Sequence, residues 1–240
     1  MRKLLFIITL FLCVLYTSCG VLPQKNNFYT TDSKIELGVI GEKQKSIRKT
    51  TFETFGNPKY GNNIKVGVSE KLFTERIYKK YKESTKGRNN SKDSLVLKSS
   101  FITLQIENKV AVVSALNNSN VEVFNYLKKA PNASLVNSLW FIPTENCLSL
   151  LKKSDAVYLK TDKQTKQRLL VYKNEKEIGN IDMSKQLIFG YELSSFCWRT
   201  TSKRKMKIAT ILNEDQNCSS ATKRNPEELE KQLTKSSFKF

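Results

Sequence analysis

The chain has 240 residues and carries 41 Lys and Arg against 22 Asp and Glu, so its formal net charge is +19. It contains no histidine, which excludes Ser-His-Asp and Cys-His catalysis, a histidine general base and histidine metal ligands. The basic excess indicates an anionic neighbourhood such as lipid headgroups, cell-envelope polymers, nucleic acid or an acidic protein. Because the cations are scattered along the chain, however, solubility explains them more readily than a binding site does.

The N-terminus has the pattern of a secretion signal. Arg2 and Lys3 precede a thirteen-residue apolar segment, 4–16. A run of this length fits the core of a signal peptide, whereas a membrane span needs about 18 residues or more. The run ends in LYTSC, which resembles a bacterial lipobox with Tyr16 where smaller side chains are usual. The resemblance implies cleavage before Cys19, which then carries a diacylglycerol on sulfur and an acyl chain on nitrogen, and two or more chains anchor a protein stably.

Ordinary secretion is the alternative, with cleavage after Gly20, because Ser18 and Gly20 satisfy the small-residue rule for signal peptidase. We favour the lipoprotein because Cys19 stands where the apolar run ends. Gly20 is not the aspartate that retains lipoproteins in the inner membrane of enteric bacteria, and the first acidic residue, Asp32, lies far from Cys19. Both features resemble outer-membrane lipoproteins that face the periplasm. The Lys-, Asn- and Ser-rich composition is similar to that of uncharacterised Bacteroidota lipoproteins.

We divide the chain into a signal peptide at 1–18, a lipidated N-terminus and tether at 19–34, a single α+β domain at 35–215, and a polar tail with a short C-terminal helix at 216–240. The tether is expected because the residues after Cys19 are polar and irregular. About 220 residues remain after the signal, which is enough for one domain with a substantial core.

The first part of the domain predicts a loop, a strand and a helix. Residues 55–63 (FGNPKYGNN) hold two glycines, a proline and three asparagines, and predict a loop. The strand is predicted at 63–69 (NIKVGVS). Residues 69–84 predict a helix with Ser69 as its cap, because Phe73, Ile77 and Tyr81 stand four apart on one face.

Residues 100–116 (SFITLQIENKVAVVSAL) have the strongest β pattern, with two β-branched runs on either side of Glu107 and Asn108. This pattern predicts a hairpin. An amphipathic helix is predicted at 120–130 and another strand at 134–143.

The second half predicts a meander of short strands. They lie at 156–160, 167–173, 176–182, 186–198 and 205–212. Asn225 as a cap and Pro226 at the first helical position predict a terminal helix. The elements together predict an α+β fold with a predominantly antiparallel sheet, covered by two or three helices.

Three cysteines remain once Cys13 and Cys19 leave the folded domain. An oxidising periplasm permits one disulfide among them, and of the three pairings we favour Cys197 with Cys218. Cys147 lies in the apolar stretch ENCLSLL and is expected to be a buried, unpaired thiol. Three buried, reduced cysteines are the alternative.

No catalytic motif stands out. The glycines at 56 and 61 are spaced as in a P-loop, but Asn62 and Asn63 follow where Lys and Ser or Thr are needed. Serine–lysine catalysis requires a desolvated lysine, and among several S-x-x-K matches Ser149 with Lys152 is the best candidate because leucines surround it. Three widely spaced cysteines do not form a zinc site, so neither a metal nor a cofactor is expected.

Carboxylates offer a second route to catalysis. The acidic residues on or beside predicted elements are Glu107, Glu122, Asp155, Glu177, Asp182 and Glu192. Glycosidase chemistry needs two carboxylates within about 5–10 Å of each other, and a sequence alone does not bring any two together.

SSFCWRTTSKRK sets Trp198 and Arg199 beside a basic cluster at a predicted strand end. The two side chains could form a contact surface for a glycan or an anionic partner. Alternation with Phe196 and Trp198 inward and Cys197 outward fits a core strand equally well, and we favour the core for Trp198.

The resulting hypothesis is a lipid-anchored cell-envelope protein whose domain is a non-enzymatic binding module for a protein or an anionic envelope polymer. The alternatives are a hydrolase using Ser and Lys or paired carboxylates, and a secreted basic protein that binds anionic polymers without an anchor. An envelope location and the absence of any recognition signature argue against nucleic acid.

Overall fold

The computed structural model describes residues 28–31, 34–45, 50–61, 63–85, 100–161 and 167–237. The predicted signal peptide, Cys19 and most of the predicted tether lie outside these residues. Within the described ranges no helix combines the length and the apolar character that a membrane crossing requires.

The strands of the described residues form one antiparallel sheet of eleven strands. They are β1 Tyr29–Thr30, β2 Ile40–Lys45, β3 Thr50–Gly56, β4 Ile64–Leu72, β5 Ser100–Ile106, β6 Ser134–Ile142, β7 Ala156–Thr161, β8 Gln167–Lys173, β9 Lys176–Ile181, β10 Leu187–Thr200 and β11 Met206–Asn213. The order across the sheet is β1-β10-β6-β5-β4-β7-β8-β9. In addition, β11 pairs with β10, and β2 pairs with both β3 and β6.

The described residues also contain five α-helices and one 3-10 turn. The helices are α1 Glu75–Thr85, α2 Lys109–Asn118, α3 Val121–Lys129, α4 Glu145–Lys153 and α5 Pro226–Ser237, and the turn is Met183–Lys185. The predicted α+β class with a mostly antiparallel sheet is confirmed, as are the later meander and the C-terminal helix. The predicted number of helices was too low.

The helices cover both faces of the sheet unequally. Buried side chains from α2, α3, α4 and α5 join the larger core on one face, among them Leu116, Leu127, Leu151 and Leu229. On the other face α1 covers a smaller aromatic cluster. Its members are Phe28, Phe73, Tyr78, Tyr81, Phe101, Trp140 and Phe189. Successive residues of a strand point to opposite faces, so β6 supplies side chains to both cores.

The predicted hairpin at 100–116 is wrong, because its second half is helix α2. Asn108 caps this helix, since its side-chain oxygen accepts a hydrogen bond from the Ala111 N–H at 3.0 Å. Val112 and Leu116, four residues apart, are both fully buried against the sheet. Burial of this helical face outweighs the modest preference of valine for strands.

The helix predicted at 69–84 begins later, at Glu75, because the residues before it extend β4. Ser69 pairs with Thr103 of β5 and is therefore part of a strand rather than a cap. Thr74 takes the capping role, and its Oγ1 accepts from the Ile77 N–H at 3.3 Å.

The packed domain extends beyond the predicted limits of 35–215 at both ends. Phe28 stacks on Trp140 with 4.1 Å between ring centroids, and Tyr29 pairs with Tyr191 of β10. In the predicted tail, Leu229 is buried. These contacts place the end of the predicted tether and much of the tail within the fold.

Candidate functional site

The disulfide fixes the position of the loop that carries the candidate site. Cys197 of β10 is bonded to Cys218, with their Cα atoms 5.7 Å apart, which is the pairing favoured from the sequence. The loop of residues 214–225, here the C-terminal loop, also pairs with the strand through its backbone. Trp198 N–H donates to the Lys223 carbonyl at 2.7 Å, and Lys223 N–H donates back at 2.9 Å.

This attachment places Arg224 beside β10. One terminal nitrogen of its guanidinium donates to Ser195 Oγ at 2.9 Å, and the other donates to the Gln216 carbonyl at 2.6 Å. Both acceptors are neutral, and within the described part of the chain Arg224 has no carboxylate partner. The side chain is exposed, and the two contacts orient it without forming an ion pair.

Arg224 lines a cleft of about 520 Å³ between the C-terminal loop, β2 and the turn before β6. We call it the Arg224 cleft. Its lining residues are Glu42, Lys43, Gln44, Lys45, Pro131, Asn132, Ala133, Ser134, Ser195, Glu214 and Arg224. Most of these present polar atoms, so the cleft suits a polar or charged group rather than an apolar one.

Two residues of the lining, Lys43 and Glu214, form a hydrogen-bonded group with Tyr29 beside the cleft. Lys43 Nζ lies 2.6 Å from Glu214 Oε1, and the Tyr29 hydroxyl donates to Glu214 Oε2 at 2.5 Å. Lys43 also donates to the Tyr29 hydroxyl at 3.1 Å. The Glu214 carboxylate is only 12% exposed, so these contacts hold the group rigid.

The electrostatics of this group follow from burial and from Glu214. Burial alone would lower the pKa of Lys43, but the hydrogen bond and charge of Glu214 outweigh it and the pKa is raised. Burial first, and then the hydrogen bond to Glu214, raise the pKa of the Tyr29 hydroxyl. Lys43 therefore stays charged and Tyr29 neutral at physiological pH.

The lining carries three cations, Lys43, Lys45 and Arg224, and two carboxylates, Glu42 and Glu214, so its net charge is +1. Lys43 is paired with Glu214, whereas Glu42 has the Tyr126 hydroxyl of α3 as a hydrogen-bond partner and keeps its negative charge. Lys45 and Arg224 remain to interact with a ligand.

No protein-family model matches this chain, and no curated protein matches it in sequence. The chemistry of the cleft therefore has to be inferred from its own residues.

The contact surface predicted at Trp198 and Arg199 is not formed. Trp198 is 2% exposed and packs against Phe124 of α3, with 5.5 Å between ring centroids. The core alternative for Trp198 is confirmed. Cys197, expected to point outward, is not part of the core that holds Phe196 and Trp198, but it is buried as well, and it is bonded there to Cys218 of the C-terminal loop. Arg199 alone is exposed.

The Ser149 and Lys152 pair lacks the burial that a lysine base needs. Both side chains lie on the exposed face of α4, and the Lys152 side chain is 61% exposed. Its amine lies 4.0 Å from Glu70. Nearby, Cys147 is buried and unpaired as predicted, and burial raises the pKa of its thiol to about 11, so the reactive thiolate is scarce at neutral pH.

Two of the predicted carboxylates line one small depression. Glu107 and Glu192 border a space of about 140 Å³ on the α1 face of the sheet. The pKa of the Glu192 carboxyl is raised overall, chiefly by burial. The nearby charge of Lys71 opposes this shift, and that of Asp215 adds to it. Glu107 pairs with Lys65 at 3.4 Å.

A second depression, of about 390 Å³, brings Glu107 together with Glu70 and Asp155. The other predicted acids, Glu122, Glu177 and Asp182, do not line either space. Across the described ranges, no group of three or more His, Cys, Asp or Glu side chains could hold a metal ion.

The residues of the Arg224 cleft were missed by the sequence analysis. Tyr29 and Glu214 stand 185 positions apart, and no pattern in a single sequence brings them together. The one local signal was Arg224 itself, six residues after a cysteine already expected to be cross-linked. A cation in a short loop tied to a strand is a reasonable place to look for an anion contact.

Proposed function

We propose that this protein is a lipid-anchored cell-envelope protein whose domain binds an anionic group without catalysing a reaction. The anionic group is a carboxylate or phosphate on an envelope polymer or a partner protein, and it binds in the Arg224 cleft. The observation that carries the binding proposal is the position of Arg224, an exposed cation that is oriented by two neutral acceptors in the lining of a polar cleft.

Arginine suits this task because its planar guanidinium has five N–H donors and binds carboxylate or phosphate with two parallel hydrogen bonds. Ser195 and Gln216 use part of that capacity and fix its orientation. A ligand group therefore meets a cation that loses little conformational entropy on binding. Lys45, at the exposed part of the lining, adds a second positive charge.

We expect Arg224→Ala to weaken binding of fluorescent polyglutamate by at least about tenfold, because a charge-assisted hydrogen bond contributes about 1.5–3 kcal/mol. Arg199→Ala removes the same charge from an exposed site outside the cleft, and we expect it to weaken binding less than about threefold. Fluorescence anisotropy at physiological salt measures both.

Arg224→Lys is a second control, because it keeps the charge and loses the planar fork, and it should fall between wild type and Arg224→Ala. Parallel titrations with polyphosphate distinguish a phosphate ligand from a carboxylate ligand. Equal losses for Arg224→Ala and Arg199→Ala, with both variants folded, would show that binding is diffuse and would refute the cleft.

The anchor rests on LYTSC and on Cys19 at the end of the apolar run. We expect the chain expressed in a bacterium with lipoprotein processing to incorporate radiolabelled palmitate and to begin at Cys19 by intact-mass spectrometry. Cys19→Ala should abolish incorporation and move the protein from the membrane to the soluble fraction, because both acyl attachments require that residue.

Cys13→Ala is the matched control, since Cys13 lies inside the predicted signal and should leave with it. An unlabelled wild-type chain beginning after Gly20 would favour the secreted alternative. That outcome would leave the cleft proposal standing, because the two rest on different residues.

The hydrolase alternative has less support. Lys152 is exposed and cannot act as a desolvated base, and Glu107 is held in an ion pair with Lys65. Binding without catalysis is the proposal that uses the residues the fold has positioned most firmly.

A further inference from the structure

We infer that the outer face of α1 is the surface that lies on anionic lipid headgroups when the protein is anchored through Cys19. This inference rests on the lipid anchor of the proposed function. It adds an orientation, in which α1 faces the bilayer and the Arg224 cleft faces away from it. Three observations carry it: the point where the chain leaves the domain, the length of chain to Cys19, and the charge of α1.

The chain enters the described domain directly beside α1. The Phe28 ring stacks on Trp140, and Lys80 of α1 lies with its amine 4.0 Å from the centroid of the Phe28 ring. The same amine donates to the Phe28 carbonyl at 3.4 Å. Gly190 gives Phe28 the room it needs, because a Cβ atom there would come within 3.0 Å of the ring.

Only residues 20–27 separate Cys19 from Phe28. Nine Cα–Cα steps span at most about 32 Å. The sheet, by comparison, extends over seven strand spacings from β1 to β9, or about 34 Å. The anchor therefore keeps the β1 and α1 end of the domain within about 32 Å of the bilayer, whereas the β9 end can lie farther away.

The outer face of α1 carries a net positive charge. The helix has four cations, Arg76, Lys79, Lys80 and Lys82, and two carboxylates, Glu75 and Glu83. Lys80 is half-buried against Phe28, so the exposed cations are Arg76, Lys79 and Lys82. Each cation close to an anionic membrane strengthens association by about fivefold. Its aromatic side chains, Tyr78 and Tyr81, are buried in the cluster beneath. The contact with lipid is therefore electrostatic and does not require insertion into the bilayer.

The cleft lies on the other side of the N-terminal strand. Phe28 belongs to the aromatic cluster under α1, whereas Tyr29 packs against the larger core of the opposite face. Tyr29 also donates to Glu214 in the lining of the Arg224 cleft. With α1 against the headgroups, the cleft is open to partners in the surrounding compartment.

Lysine footprinting of the lipidated full-length mature protein tests the orientation. The protein is reconstituted into phosphatidylcholine vesicles with or without phosphatidylglycerol, treated with an amine-acetylating reagent and examined by mass spectrometry. On vesicles with phosphatidylglycerol, we expect acetylation of Lys79 and Lys82 to fall about threefold or more relative to Lys173 and Lys176. The latter two are exposed at the far edge of the sheet.

Arg76→Gln with Lys79→Gln should restore acetylation of Lys82, because two of the four α1 cations are removed. Lys160→Gln with Lys173→Gln removes the same charge from exposed sites away from α1, keeps Lys176 as the reference and should leave the protection of Lys79 unchanged. Raising the salt concentration should weaken the protection, since exposed charges are screened.

The outcomes separate this inference from the anchor. Acyl mass and vesicle flotation report the anchor, and their absence overturns both proposals. Flotation with equal acetylation of Lys79 and Lys173 overturns the orientation alone, as does protection that is the same without phosphatidylglycerol. Stronger protection by soluble polyglutamate than by vesicles would assign α1 to a polymer and overturn the lipid contact.

Discussion

Replacing Trp198 by alanine is expected to lower the free energy of unfolding by about 3–5 kcal/mol, the usual cost of removing a buried tryptophan. The side chain is 2% exposed and contacts Phe124 of α3, so its removal opens a cavity between β10 and the covering helices. Cavities of this size refill only partly by relaxation. Urea denaturation followed by circular dichroism measures the change.

Arg199→Ala is the matched control for this prediction. Arg199 follows Trp198 on the same strand but is exposed, and its replacement should change the free energy of unfolding by less than about 0.5 kcal/mol. A stable Trp198→Ala variant with weakened polyanion binding would contradict the core assignment and restore the contact surface predicted from the sequence. Comparing the two variants therefore separates an effect on core packing from an effect on ligand binding.

The fold class could be predicted because it depends on patterns that are local in the sequence. The strands of the meander alternate or run apolar over a few residues between short polar links, and each was found close to its observed position. The terminal helix was found from Asn225 and Pro226, whose preference for helix starts has a local physical cause.

The errors arose where tertiary contacts override local preference. Val112 and Leu116 belong to a stretch of β-branched residues, yet helix α2 forms because their spacing buries both against the sheet. The predicted limits of the domain were too narrow for a similar reason. In the sequence, Phe28 belongs to a polar stretch that predicts a tether. In the structure it is part of the core, because its ring stacks on Trp140, more than a hundred residues away.

Of the candidate site, only the disulfide that holds the C-terminal loop was predicted from the sequence. The pairing of Cys197 with Cys218 was the favoured one of the three that the cysteine count allows, and this bond helps to hold the loop bearing Arg224. The hydrogen-bonded group beside the cleft could not be predicted from the sequence, because Tyr29, Lys43 and Glu214 come from three distant segments. Charges that act together through long-range contacts leave no periodic pattern in one sequence.

Removing the disulfide by the double replacement Cys197→Ala and Cys218→Ala is expected to lower the free energy of unfolding by about 3 kcal/mol. The bond closes a loop with a sequence separation of 21, and restricting the unfolded chain over such a length contributes about that amount. Urea denaturation with and without dithiothreitol measures it. The reductant should shift the wild-type midpoint toward that of the variant and leave the variant unchanged.

Cys147→Ala provides the control, because Cys147 is buried but unpaired. It should cost only about 1 kcal/mol of packing and keep the sensitivity to reductant. A wild-type midpoint that does not respond to reductant would show that the disulfide does not form in the folded protein.

The effect on binding should be smaller than the effect on stability, because the backbone bonds between Trp198 and Lys223 and the contacts of Arg224 still hold the loop against β10. Polyglutamate affinity in the double variant should therefore lie above that of Arg224→Ala, so that the cross-link contributes mainly to stability and the guanidinium mainly to recognition.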